Sequence, residues 1–205
     1  ETLRAVDLFD STRVWTVGDN GAIVYYDGVG WSLQLSDTTK QINDVEVLGT
    51  STAIVCGLDG LIKKTTDYGA NWFDKTSGTS VDLNGISFSD ASRGWAAGSS
   101  GVVTRTIDGG ETWVPQVVDA SYSFHSIFFT DTTGFAVGDR GIVYRTTDGT
   151  TWDKYRTDYV YVDFHLAEVS ADTTGGSEYL DTSLEDVVVG LPSANRLRIV
   201  QDVKV

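Results

Sequence analysis

The sequence predicts an all-β fold, a β-propeller of five blades of about 40 residues with the last blade degenerate. Two periodic markers carry this expectation. Trp31, Trp72, Trp113 and Trp152 follow one another at 41, 41 and 39 residues. A Gly-x-x-Gly pattern keeps the same step, with its first glycine at Gly18, Gly57, Gly98 and Gly138. A shared period near 40 residues places one supersecondary unit in each repeat. Composition agrees: 22 glycines but only 2 prolines suit short strands joined by tight turns.

Each repeat divides into four strand-like runs of Val, Ile, Phe, Tyr and Trp bounded by Gly, Asp, Ser and Thr. The inner strands are expected at Leu3–Phe9, Ile42–Leu48, Leu83–Phe88 and Phe124–Phe129. Second strands follow at Val14–Gly18, Ala53–Gly57, Gly94–Gly98 and Gly134–Gly138, and third strands at Ala22–Tyr26, Leu61–Thr65, Val102–Thr106 and Ile142–Thr146. The fourth begins at each tryptophan. Between strands two and three the Gly-x-x-Gly segments read as two-residue hairpins.

Between strands three and four lies a recurring box. Its clearest copy is Thr106-Ile107-Asp108-Gly109-Gly110-Glu111-Thr112-Trp113. Asp67, Gly69 and Trp72 repeat it, as do Asp148 and Trp152, and Asp27 with Trp31 forms a worn copy. In such a turn the Asp accepts hydrogen bonds from nearby backbone N–H groups. The Gly takes positive φ without a Cβ clash, and the Trp carries apolar surface back to the core. These residues are therefore expected to be structural.

Beyond Thr157 the pattern decays. Tyr161–Leu166, Leu184–Gly190 and Arg196–Val205 are three further strand-like runs, with a polar insertion at Ser170–Ser183. The expected division is one domain, 1–205, with blades at about 3–38, 42–79, 83–119, 124–158 and 161–205. Five blades lie within the usual four to eight of closed propellers. The alternative is a slice of a larger six- or seven-bladed ring. The chain opens on Glu1 and contains no Met, the expectation for a processed or partial product.

The box resembles the Asp-box, or neuraminidase-type repeat. The wider unit, Leu83–Phe88, Gly94–Gly98, Gly101–Thr106 and then the box, resembles the repeat of the photosystem II stability/assembly factor family. That resemblance implies a propeller and a chaperone that binds a membrane-protein precursor through an arginine patch. The sialidase resemblance implies an arginine cluster with a Tyr/Glu pair. The nine arginines of this chain do not recur at one inner-strand position. Arg105 and Arg145 share a third-strand position with Lys64 and Tyr25, a solvated or inter-blade stripe.

A formal charge of −14 argues against nucleic acid, whose binding needs Lys and Arg to displace counterions. No run of 18 apolar residues exists, so membrane insertion is not expected. The lone Cys56, in Ala53–Gly57, is expected to behave as a small buried hydrophobe. His125 and His165 each follow a Phe on an inner strand, and two ligands without a third do not make a metal site. The expectation is therefore no catalytic, cofactor or metal residue.

Alternating strand directions sort the loops onto two faces. The boxes share one face with the loops joining first to second strands. The Gly-x-x-Gly turns share the other with the blade-to-blade crossings. Ligand-binding candidates fall on this crossing face: Asp19, Asn20, Asp59, Asp139 and Arg140 from turns, and Lys40, Gln41, Tyr122, Tyr155, Arg156 and Tyr159 from crossings. Tyrosine, with an apolar body and a polar tip, is a good anchor there.

The expected function is a non-catalytic binding or assembly module with a protein or glycan partner. Its expected setting is extracytoplasmic or a particle surface, as part of a surface, adhesion or virion assembly. The alternatives are a photosystem II assembly-factor-like chaperone and a sialidase-related lectin or glycosidase.

Overall fold

The structure is a computed structural model, and it describes residues 2–156. The fifth blade expected at 161–205, with His165, and the crossing residue Tyr159 lie outside the described residues.

Sixteen strands form four antiparallel sheets, each built in simple chain order. The first sheet contains β1 (Leu3–Asp10), β2 (Arg13–Gly18), β3 (Ile23–Tyr26) and β4 (Trp31–Gln34). The second contains β5 (Ile42–Val47), β6 (Ala53–Gly57), β7 (Ile62–Thr65) and β8 (Phe73–Asp74). The third contains β9 (Leu83–Phe88), β10 (Gly94–Gly98), β11 (Val102–Thr106) and β12 (Val114–Val117). The fourth contains β13 (Phe124–Thr130), β14 (Thr133–Gly138), β15 (Val143–Thr146) and β16 (Asp153–Arg156). The expected inner, second and third strands therefore stand within about a residue of their sequence boundaries.

The sheets stack face to face in sequence order, β1 against β5, β5 against β9 and β9 against β13. The core is accordingly three layers between sheets rather than one central cluster. The first layer sets Trp15, Val17 and Ile23 against Val45, Ala53 and Val55. The second sets Ile54, Cys56 and Ile62 against Ile86, Phe88 and Ala96. The third sets Trp95, Ala97 and Val103 against Ile127, Phe129 and Ala136. Each sheet thus has a trailing face toward its successor and a leading face toward its predecessor. In the third layer the Trp95 ring stacks on Phe129 at 3.6 Å between centroids, and its Nε1 donates to the Gly149 carbonyl at 2.8 Å. Cys56 is free and fully buried, as expected.

A second device joins the sheets. The Asp7 carboxylate accepts from the Val47 N–H at 2.7 Å, Glu46 from Phe88 at 3.1 Å, and the Ser87 hydroxyl from Phe129 at 3.1 Å. All three acceptors occupy one register position, opposite Trp15, Ile54 and Trp95 respectively. One residue pair earlier, Asp44 accepts from the Ile86 N–H at 2.9 Å. Asn43 and Asn84 donate to the carbonyls of Leu83 and Phe124 at 2.8 and 2.7 Å. An inner strand is the edge of its own sheet, so its unpaired backbone groups need partners. The neighbouring sheet supplies them.

The hairpin expectation also holds. Asn20-Gly21, Asp59-Gly60, Ser100-Gly101 and Arg140-Gly141 all have positive φ, and a 3.0–3.1 Å bond links Ala22 N to Asp19 O and Leu61 N to Leu58 O. Two central residues with φ > 0 define the primed turn that matches strand twist.

Two expectations need correction. Trp31 is 58% exposed instead of buried. Its counterparts Trp72 and Trp113 bury themselves against the preceding sheet, and the first sheet has no predecessor among the described residues. The fourth strand starts at the box tryptophan only in β4, and one residue later in β8, β12 and β16.

Burial pushes the Glu46 carboxyl up to about 7, against the pull of the Phe88 N–H, with Asp7 and Asp44 adding repulsion. A carboxyl whose folded value is raised supports the fold below its unfolded value of 4.5 and loses that support as pH rises through 7. Discounted for partial exposure, the shift corresponds to about 1–2 kcal/mol, or a few degrees in Tm for a domain of this size. Glu46→Gln keeps the acceptor without the charge. Thermal unfolding should therefore show the variant a few degrees more stable near pH 8 and indistinguishable from the parent near pH 4.5. Equal offsets at both pH values would contradict this.

Candidate functional site: the crossing face

The two loop faces form as the sequence implies, and main-chain bonds hold them. On one face each turn is tied to the segment entering the inner strand of its own sheet. Asp19 N donates to Thr2 O, Leu58 N to Gln41 O, Ser99 N to Asp82 O and Asp139 N to Ser123 O, at 2.9 to 3.1 Å. On the other face the boxes meet the first-to-second loops, through Tyr68 N to Ser51 O and Gly109 N to Ser92 O.

The boxes consume their own polar groups. Asp108 accepts from the N–H groups of Glu111 and Thr112 and from the Thr106 and Thr112 hydroxyls. Thr106 Oγ1 also accepts from Gly110 N, whose φ of 87° suits only glycine. Asp67 accepts from the Thr65 hydroxyl and from the backbone and side-chain N–H groups of Asn71, and Asp148 from the Thr146 hydroxyl and the N–H groups of Thr150 and Thr151. Asp27 retains only the N–H groups of Val29 and Gly30. The Thr112 hydroxyl holds the Asp108 carboxyl well below the usual range, and the Thr151 N–H does the same for Asp148. These carboxylates are turn locks.

The crossing face is different in kind. Arg4 Nε donates to Asp19 at 2.6 Å, His125 Nε2 lies 2.7 Å from Asp139, and Lys40 lies 3.4 Å from Asp59. Arg4 and His125 share one register position with Asn43 and Asn84, and each of the four marks a bulge in its inner strand. A bulge re-aims its side chain: Arg4 and His125 turn to Asp19 and Asp139 on this face, while Asn43 and Asn84 reach the inner strand of the next sheet. The Ser123 N–H, then His125, lower the Asp139 carboxyl. Asn20 and Arg140 project from their turns, both with φ near 55° and both exposed. Tyr122 is half-buried against the third layer, with the Lys154 ammonium 4.7 Å from its ring.

Beside Asn20 a concave pocket of about 640 Å³ opens between the first turn and the crossing from β4 to β5. Its lining includes the largely exposed Leu33 and Leu35 together with Asn20, Asp37 and Lys40.

Asp19, Asn20, Asp59, Asp139, Arg140 and Tyr122 thus stand on the expected face. Tyr155 and Arg156 do not belong to a crossing loop: they lie in β16, because pairing with β15 continues through a bulge to Arg156 opposite Val143. Tyr155 is exposed on this outer strand. The stripe at Tyr25, Lys64, Arg105 and Arg145 lies on trailing faces, so it is inter-blade: Arg105 sits 5.7 Å from the Trp95 ring centroid, and Lys64 reaches Glu111 of the next sheet at 2.6 Å. Sequence reasoning missed Asp7, Asp44 and Glu46. The available signal was an acceptor recurring at one inner-strand position. Among the described residues no group of three or more His, Cys, Asp or Glu converges as a metal site would require.

Comparison with known proteins adds the fold. Residues 72–159 match the sequence profile of the photosynthesis system II assembly factor YCF48. No curated protein matches the sequence. A structure of YCF48 bound to D1 peptide superposes with a TM-score of 0.57 at 20% identity, over 74% of this chain and 52% of that one. YCF48 from Cyanidioschyzon merolae gives 0.61 at 18% identity, over 73% and 52%. An ancestral GH74 enzyme gives 0.62 at 18% identity, over 73% of this chain and 23% of the enzyme.

The fold is a β-propeller.

The described sheets are four of its blades, and the chain spans about half the length of the YCF48 structures it matches.

The box carboxylates yield a prediction. Their stability is present above the unfolded value of 3.8 and is lost as pH falls through the depressed folded values. Asp108→Asn should lower stability at neutral pH and flatten its fall between about pH 4 and pH 2. Acid titration followed by tryptophan fluorescence checks this, and a slope equal to the parent's would refute it.

Proposed function

We propose that this propeller is a non-catalytic module that binds an extended segment of a protein partner on its crossing face. The observation that carries the reading is the construction of that face. Every turn is braced by a main-chain bond, Asp19 and Asp59 are each matched with a cation and Asp139 with His125, and an open pocket lined in part by Leu33 and Leu35 lies beside the first turn. Rigid backbone, polar groups at fixed spacing and exposed apolar area suit recognition of an extended chain. With these acids paired locally, binding should rest on hydrogen bonds and apolar contact more than on net charge.

The YCF48 structure bound to D1 peptide supports a protein partner, since it shows this fold holding a peptide. The sequence match over 72–159 favours, as a second reading, an assembly factor whose partner is a photosystem II precursor segment. Five blades, with residues 161–205 as the last, is the count we propose, on the strength of the 39–41-residue step.

An array of peptides, including D1 segments, should yield binders whose affinity changes little with added salt. Leu35→Asp and Tyr122→Ala should each weaken them about tenfold or more. Binding that ignores both substitutions, or sugar release from a polysaccharide panel, would overturn the proposal.

A further inference from the structure

The seams between successive sheets repeat one arrangement and complete it differently. In each, a third-strand residue lies on the trailing face: Tyr25, Lys64 and Arg105, opposite Trp15, Ile54 and Trp95 in register. Three places after the tryptophan of the same box come Gln34, Lys75 and Gln116. The next blade contributes the residue two places before its own tryptophan: Ala70, Glu111 and Thr150.

In the first seam Gln34 closes the contact by itself. Its side-chain carbonyl accepts from the Trp15 and Trp72 indoles at 3.3 and 3.2 Å, and its amide donates to the Tyr68 carbonyl at 2.6 Å. In the second seam a carboxylate does so. Glu111 receives Lys64 on one oxygen and Lys75 on the other, both at 2.6 Å. Lys64, then Lys75, hold that carboxyl below its usual range.

The third seam keeps the donors and lacks the acid. Arg105 and Gln116 take the places of Lys64 and Lys75, but Thr150 takes that of Glu111. The box backbone is unchanged: the N–H groups of Glu111 and Thr150 donate to Asp108 and Asp148 at 3.0 and 2.7 Å. Among the described residues Arg105 has no hydrogen-bond acceptor and no ion-pair partner. Its Nε is enclosed, and its guanidinium lies beside the Trp95 ring. A pocket of about 230 Å³ opens here, with Arg105, Val114, Gln116 and Thr150 in its lining. A cation drawn partly out of water without a partner is costly. A guanidinium matches a carboxylate through two parallel N–H bonds.

We propose that this pocket binds a carboxylate from outside the chain, received by Arg105 and Gln116 as Lys64 and Lys75 receive Glu111. The site adjoins the boxes, on the face opposite the crossings. It is therefore a second site, and it stands or falls apart from the crossing-face reading. The carboxylate belongs either to a small free acid or to a glutamate side chain of a partner segment.

The test follows the Arg105 Nε–H signal of the full chain by nuclear magnetic resonance. The probes are acetate, a short Glu-containing peptide, its Gln counterpart, and sodium chloride at matched ionic strength. Acetate should move the signal and chloride should not. A Glu peptide that binds about tenfold tighter than acetate assigns the carboxylate to a partner segment, and equal or weaker binding assigns it to a free acid. Thr150→Glu, on an exposed turn, returns the acid to the chain. It should move the signal without any ligand and weaken acetate binding about tenfold or more. Leu35→Asp, on the crossing face, should change neither. A signal indifferent to carboxylates would overturn the proposal, as would an equal response to chloride or to the Gln peptide. Undiminished acetate binding in Thr150→Glu would overturn it too.

Discussion

The fold depends on how an inner strand, the exposed edge of its own sheet, satisfies its backbone. An antiparallel sheet of four short strands leaves a row of N–H and C=O groups along its first strand, where no fifth strand can pair. In this propeller the groups are answered from the side by Asp7, Asp44, Glu46, Ser87, Asn43 and Asn84 of the preceding blades. These bonds set the register between sheets that apolar packing alone would leave free to slide. They also explain acidic residues on strands that otherwise carry Val, Ile and Phe. The arrangement costs desolvation, which is why burial raises the carboxyls of Asp44 and Glu46.

Because the core is divided into layers, each blade is stable only between neighbours. The box aspartates are held within their own turns, while on the crossing face bulges at Arg4 and His125 turn these side chains toward Asp19 and Asp139.

What the sequence revealed was mostly what is local. The boxes and hairpins were legible because Asp, Thr and Gly act within a few residues of themselves, as Thr106, Asp108 and Gly110 do. Strand positions followed from the same markers. Trp31 was misjudged because its burial belongs to a neighbouring sheet rather than to its own box. Tyr155 was misplaced because a bulge, invisible in composition, carries β16 farther than a loop assignment allows. The inter-blade acceptors escaped notice because Asp7, Glu46 and Ser87 share no identity, only an oxygen at the right register. The crossing-face pairs Arg4–Asp19 and His125–Asp139 needed coordinates, since fourteen or fifteen residues separate the partners.

The position of Cys56 has a practical consequence. It is the single sulfhydryl of the chain, it is fully enclosed, and it sits against the Leu83 carbonyl of the next sheet. A thiol reagent can reach it only when the second and third blades part. The rate of its alkylation is thus an internal clock for how often that seam breathes, with no competing signal from any other sulfur nucleophile.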